Sequence, residues 1–266
     1  INEDLNTRKG VERVIRAALA FQGQGYGVPV LIGREERVKE VVQRLGLHGA
    51  ESLEVHNARL SQDNARYTEF LYKRMQRKGY LQRDCLRLVN QDRNVFGACM
   101  VAMGDADAMV TGVTRPFVSA FEDISNVIDT KPGARVFGLT MVIARERTVF
   151  MADTAVHEVP TPEAMVDIAI QSAAFARRLG HEPRIALLSY ANFGTAWGRA
   201  AKRVREAVRL LDERRVDFEY DGEMQADVAL DHELMKSAFP FCRLSGPANV
   251  LIMPALNAAN IAAKLM

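Results

Sequence analysis

Residues 149–173, VFMADTAVHEVPTPEAMVDIAIQSA, constrain the fold more than any other stretch of the chain. A short apolar run ends on Asp153-Thr154, and a polar loop follows. Thr161-Pro162-Glu163 then has the composition of a helix start: a hydroxyl for the N-cap, a proline for the first helical position and an acid for the first turn. Met165, Ile168, Ala169 and Ser172 recur at helical spacing and share one face. A strand, a loop and a helix in that order put the loop at the carboxyl end of a strand, where α/β proteins bind ligands.

The rest of the chain repeats this alternation. Residues 11–20 (VERVIRAALA) read as an amphipathic helix with Val14, Ile15, Ala18 and Leu19 on its apolar side. Gly23-Gln24-Gly25-Tyr26-Gly27 has the glycines of a phosphate loop. It follows a helix and precedes the strand at 28–32, the reverse of a dinucleotide fingerprint, so it reads as a helix stop. Next come a helix over 34–45 closing at Gly46, a strand over 53–56, and helical segments over 64–90 broken at Gly79. Arg74, Arg77, Lys78, Arg83 and Arg87 in those segments read as a solvated face. A helix over 95–103 and a buried strand over 106–110 are expected after them.

Beyond Pro132-Gly133 a fresh strand pattern begins, with 135–144 pairing with 148–151. Strands at 184–189, 217–220 and 249–253 alternate with helices over 198–214 and 257–264, with a turn at Asp221-Gly222 and Asn257 as an N-cap. The pattern predicts an α/β protein with parallel, helix-covered sheets and a domain boundary near Gly133.

Composition closes off several classes of function. Lys plus Arg is 35 against 33 for Asp plus Glu, a net charge of +2, too balanced for a nucleic-acid surface. No apolar run reaches the roughly 18 residues of a membrane span. No secretory signal is visible, and a chain that begins at Ile1 reads as a fragment. Three cysteines, Cys85, Cys99 and Cys242, far apart and odd in number, fit a reducing compartment and a cytoplasmic location. The five histidines lack ligand spacing, so no metal site is expected. Asp221, Glu223, Asp227 and Asp231 lack the calcium-loop pattern and are expected in turns and on the surface.

Ser189, Tyr190, Asn192, Gly194 and Thr195 cluster in one loop that leads into the helix at Gly198. A helix start offers free N–H groups and a positive dipole to coenzyme phosphates, and Arg199, Lys202 and Arg203 would add charge. The same residues also read as a capped helix with a solvated basic face. Trp197 is expected to pack between domains or subunits.

Asp153-Thr-Ala-Val, Pro160-Thr-x-Glu163 and Ile168-Ala-Ile-Gln-Ser-Ala173 together resemble a central motif of the phosphate acetyl/butyryl transferase family. The segments 104–112 (GDADAMVTG), 187–194 (LLSYANFG), 221–230 (DGEMQADVAL) and 248–264 (ANVLIMPALNAANIAAK) resemble further motifs of that family, in order. The resemblance implies two α/β domains with an interdomain cleft, here 1–133 plus 251–266 and 134–250. It implies transfer of an acyl group between coenzyme A and phosphate, with acetyl-CoA or CoA as ligand. Residues expected to contact that ligand are Thr111, Gly112, Thr114, Arg115, His157, Ser189, Tyr190, Asn192, Gly194, Thr195, Asn257 and Asn260.

Four departures bear on activity. Aligning Thr111-Gly112 and Thr130-x-Pro132-Gly133 puts Glu122 where active members carry a phosphate-holding arginine, and Arg115-Pro116 lies seven residues early. Met75 stands where the family's Arg-Lys-x-Lys-Gly begins. Active members continue past the Asn257 helix to a Ser-Arg-Gly segment and an aspartate. At the other end, residues 1–9 are polar where the family opens with a strand, so residues are expected to be missing near Arg8 to Gly10.

Segments 67–79, 83–85, 89–94, 111–115 and 218–223 are most similar to the carboxyl-terminal domain of bacterial hybrid NADP-dependent malic enzymes. That resemblance implies a catalytically silent, regulatory domain that binds acetyl-CoA as an allosteric effector. It implies a homo-oligomer, with NADP and a divalent metal held only by an upstream malic enzyme domain and no cofactor in this one. An active phosphate acetyltransferase and a purely structural oligomerisation module are the alternatives.

Overall fold

The computed structural model describes residues 3–47, 49, 52–113, 115–144 and 147–266, with side chains from Gly10 onward. The chain divides into two compact units, Ile1–Asp129 and Thr130–Met266.

The first unit runs α1 (Glu3–Gly23), β1 (Val30–Ile32), α2 (Glu35–Leu45), β2 (Glu54–His56), α3 (Asn64–Met75), α4 (Gln82–Gln91), α5 (Arg93–Met103) and α6 (Phe117–Ser125). Arg8 to Gly10 lie inside helix α1. The glycine-rich stretch after it is the expected stop, with Gln24 N–H donating to Ala20 O and Tyr26 N–H to Phe21 O. Strands β1 and β2 pair in parallel. Ile15, Ala18, Leu31, Val41 and Leu53 pack α1 and α2 onto them. A separate core of Tyr67, Leu71, Met75, Cys85, Val89, Phe96 and Cys99 holds α3, α4 and α5 together. Burial pushes the Cys99 thiol up to about 12, so it behaves as a small apolar core group.

Two expectations for this unit are corrected. Arg74 does not lie on a solvated face: its guanidinium grips both oxygens of Asp129 at 2.8 and 2.7 Å. Such a two-pronged contact is more directional than a single-point ion pair. The 106–110 stretch forms no strand, and Val110 is 99% exposed. The N–H groups of Asp105 and Ala106 are spent on Met100 O at the end of α5.

The second unit runs β3 (Leu139–Ala144), β4 (Arg147–Ala152), α7 (Pro162–Arg178), β5 (Arg184–Leu188), α8 (Arg199–Arg214), β6 (Glu219–Met224), α9 (Ala226–Leu230), α10 (His232–Ala238), β7 (Val250–Ile252) and α11 (Leu256–Leu265). Among the described residues these build one five-stranded sheet of order β3-β4-β7-β5-β6, antiparallel only at the β3–β4 hairpin. Successive strand residues point to opposite faces. Phe150, Ala152, Ile185, Leu187, Val250 and Ile252 therefore meet α7 and α8 in one core. Val149, Met151, Ala186, Leu188, Leu251 and Met253 meet α9, α10 and α11 in the other. Strands covered on both faces read as unbroken apolar runs, as Ile185-Ala-Leu-Leu188 does.

This topology corrects three further expectations. Residues 251–266 do not join the first unit: β7 pairs its backbone with β4 and β5, and its buried aliphatic side chains meet helices of the second unit on either face. No turn forms at Asp221-Gly222, and β6 continues to Met224. Asp221 is buried yet satisfied, accepting from the Gly222 and Arg243 N–H groups and from Arg243 Nη2. Asn257 does not cap α11, whose flanking residue is Ala255; instead Leu256 N–H donates to Glu158 O.

Gly222 is obligatory for a steric reason. Its φ is +154, and a Cβ there would sit 2.6 Å from the Leu187 carbonyl oxygen. Gly222→Ala is expected to lower the urea midpoint sharply by prising β6 from β5. Leu187→Ala in the same pair should cost about 2–5 kcal/mol, the range for emptying a packed leucine site.

Candidate functional site

The carboxyl ends of β4, β5, β6 and β7 bring together four loops of the second unit. Helices after β4 and β5 cover one face of the sheet, and α11 after β7 covers the other. Chains that diverge to opposite faces from neighbouring strands leave a crevice beyond the strand ends, the usual ligand position in such sheets.

Asp153 organises the first loop. It is 2% exposed. Its Oδ1 accepts from the N–H groups of Gly138, Ala155 and Val156, and its Oδ2 from the His157 N–H. His157 Nδ1 lies 2.6 Å from the same Oδ2. Burial opposes the charge, and the donors of Ala155, Gly138 and His157 outweigh it, so the carboxyl sits below the usual carboxylate range. The contact fixes the imidazole with Nδ1 toward Asp153 and leaves Nε2 for a ligand. Thr161 caps α7 as expected, its hydroxyl accepting from Ala164 N–H at 3.2 Å.

The second loop follows β5. Asn192 and Gln225 exchange hydrogen bonds, with Asn192 Nδ2 donating to Gln225 Oε1 and Gln225 N–H to Asn192 Oδ1, both at 2.7 Å. Gln225 Nε2 also donates to Tyr190 O at 3.1 Å. Gly198, at the start of α8, has no side chain to cap the helix, and the Tyr190 hydroxyl occupies the place of its missing Cβ. The first N–H groups of α8 therefore remain open to an anionic ligand. Ser189 and Asn192 are half-buried, while Tyr190, Gly194, Thr195, Asn257 and Asn260 are exposed. Asn260 accepts from Lys264 Nζ at 2.9 Å. Trp197 is 84% exposed.

Residue patterns missed the group beneath this loop. Glu223 is 0% exposed, not on the surface as expected. The register of β5 and β6 slips at Leu187/Leu188, where Leu187 faces Gly222 and Leu188 faces Met224, so Glu223 is the extra residue of a bulge. A bulge redirects a side chain that regular alternation would place elsewhere. Glu223 Oε1 accepts from Gly194 N–H at 3.0 Å and Arg205 Nη1 at 2.5 Å, while Arg205 Nη2 donates to Ala196 O. The sequence signal was the Gly222-Glu223 pair inside a strand, read as a turn. Asp227 and Asp231 are ordinary helix-start acids, the latter capping α10 through the Glu233 and Leu234 N–H groups.

The remaining expected contacts lie in the first unit. Thr111 Oγ donates to Asn94 Oδ1 at 2.6 Å, and Asn94 Nδ2 donates to Asp123 at 3.0 Å. Arg115 is ion-paired with both Asp92 and Asp123. Gly112, at φ +135, has open space around it. Thr114 lies outside the described residues. Met75 is core and Glu122 is exposed. Among the described residues, no group of acidic, histidine or cysteine side chains could hold a metal, and no helix is long and apolar enough to cross a membrane.

The depressed Asp153 carboxyl has a measurable consequence. Its contribution is complete above the unfolded aspartate value of ~3.9 and is lost as pH falls through the lower folded value. Asp153→Asn should therefore flatten the acid limb of stability against pH in urea titrations. It should also cost about 1–3 kcal/mol at neutral pH by leaving N–H donors poorly matched.

The family model described as phosphate acetyl/butaryl transferase matches residues 10–266. The chain is similar to an NADP-dependent malic enzyme of Rhizobium meliloti (strain 1021), 53% identical over 255 residues, 96% of this chain and 33% of that protein. It is similar to a phosphate acetyltransferase of Staphylococcus aureus (strain MRSA252), 30% identical over 259 residues, 96% of this chain and 78% of that protein. A solved phosphotransacetylase from Streptococcus pyogenes matches it with a TM-score of 0.87 at 29% identity, covering 96% of this chain and 77% of that one. The chain spans about a third of the length of the malic enzymes it matches. A family model that matches residues 10–266, with a relative 30% identical and covered over 78% of its length, establishes that the chain belongs to the phosphate acetyl/butaryl transferase family.

Proposed function

We propose that this chain is the phosphotransacetylase-like domain of a malic enzyme, that it binds acetyl-CoA as an allosteric effector, and that it does not itself transfer acyl groups. The observation that carries the reading is Arg115, whose charge is already met by Asp92 and Asp123. A phosphate arriving there would have to displace two carboxylates. Glu122 adds a further negative charge nearby in sequence, and Met75 is a core residue where the family carries an arginine. A phosphate co-substrate would thus meet no unpaired cation at these three positions.

The coenzyme side of the site is better provided. The uncapped start of α8 suits a coenzyme phosphate, and Arg199 and Lys202 lie in its first turn. His157 Nε2, Asn192 and Thr195 offer polar contacts around it. NADP and a divalent metal belong, in this reading, to an upstream malic enzyme domain. Exposed Trp197 and the exposed Met141 and Ile143 of β3 supply surface for homo-oligomeric assembly.

A second reading, an active phosphate acetyltransferase, is favoured by the similarity to the Staphylococcus aureus enzyme over 78% of its length. One pair of assays on the full-length protein separates the two. In the first reading acetyl-CoA changes malate-dependent NADP reduction by about 5–150-fold, the usual span of an allosteric coupling, and phosphate-dependent release of CoA is absent. Malate turnover indifferent to saturating acetyl-CoA overturns that reading, and phosphate-dependent CoA release establishes the second.

A further inference from the structure

The amino-terminal edge of the second unit's sheet carries a cationic groove, at the opposite end of the strands from the loops described above. Arg147 opens β4, Arg184 opens β5, and Pro247-Ala248-Asn249 leads into β7 between them. With Thr148 and His181 these residues line a hollow of about 220 Å³.

Each arginine is tethered by a single bond to a main-chain carbonyl. Arg147 Nη1 donates to Leu230 O at 3.2 Å, and Arg184 Nε donates to Pro247 O at 2.8 Å. Neither has an ion-pair partner among the described residues, so both terminal N–H groups of Arg184 and two of the three nitrogens of Arg147 have donors to spare. Five other arginines of the unit are ion-paired: Arg135 and Arg214 with Asp167, Arg177 with Asp217, Arg205 with Glu223 and Arg243 with Asp221.

The walls are rigid. Asn249 accepts from Arg184 N–H at 2.7 Å and donates to Glu182 O at 2.8 Å, and the His181 ring stands edge-on to Phe150. An adjoining hollow of about 340 Å³ shares Arg147, Leu230 and Pro247. Its acids are Asp231, whose Oδ1 is occupied in capping α10, and Glu233. His232 Nδ1 also faces that region, shielded from solvent and without a protein partner.

We propose that this groove binds a small oxyanion, with Arg147 and Arg184 gripping its oxygens and Thr148 and His181 completing the contacts. A guanidinium tethered to a carbonyl keeps further N–H donors, in the fork arrangement that pairs with phosphate and carboxylate oxygens. The ligand is either a phosphate ester or a small dicarboxylate. The site is separate from the one proposed for acetyl-CoA.

Calorimetric titration of the intact protein tests this, using inorganic phosphate and succinate in separate runs at constant ionic strength and in saturating CoA to block the other site. Arg147→Gln removes one surface tether and should leave the fold intact, and Arg184→Lys keeps charge while losing the fork. Saturable binding of one anion per chain, weakened at least tenfold by Arg147→Gln, is the expected result. Phosphate binding alone assigns the phosphate-ester class, succinate binding alone the dicarboxylate class, and binding of both an oxyanion site of broad specificity. No saturation in the millimolar range with either anion overturns the proposal. So does binding that Arg147→Gln and Arg184→Lys both leave unchanged.

Discussion

Strands that are apolar on both faces must be covered twice, and this requirement shapes the second unit. Phe150, Ile185, Leu187 and Val250 need α7 and α8 on one side, while Met151, Ala186, Leu188 and Leu251 need α9, α10 and α11 on the other. Fully burying one such side chain stabilises by about 1.5–3 kcal/mol, so the two cores together outweigh any single polar contact in the unit. With helices leaving neighbouring strands toward opposite faces, the loops at the carboxyl ends cannot close over one another. The candidate ligand site is a by-product of how the cores are covered.

Within that frame, two buried carboxylates give the loops their shape. Asp153 gathers the N–H groups of a turn that has no helix or sheet to satisfy them. Glu223 does the same for Gly194 from below, with Arg205 supplying the opposite charge. Buried charge is tolerated when it is paired or hydrogen-bonded, as both of these acids are. The exposed residues expected to meet a ligand, Tyr190, Thr195 and Asn257 among them, contribute little to that framework.

The first unit offers a contrast in how charge is used. Arg74 and Arg115 both end on aspartates rather than on open solvent. A guanidinium so engaged fixes chain segments and has little left for a small anion. The same residue type at Arg147 and Arg184 is tethered only to carbonyls, which hold the side chain without cancelling its charge. Composition treats all four alike; only their partners separate structural arginines from those free to bind.

Local signals in the sequence determined a good deal: the α7 start at Thr161-Pro162, the helix ends at Gly46 and Gly79, the β3–β4 hairpin, and the motifs that marked the family. Caps, glycine stops and alternation act over a few residues, so they are legible in one chain. Tertiary structure decided what depends on distant partners. Val250–Ile252 became a central strand because β4 and β5 offered it two edges, and 106–110 formed none, its Ala106 N–H bonded to Met100 O at the end of α5. Glu223 read as a surface acid until a register slip against β5 turned it inward. A hydrogen-bonded neighbour sixty or thirty residues away leaves no trace in local pattern, and that is why the charge state and burial of the site were settled only in three dimensions.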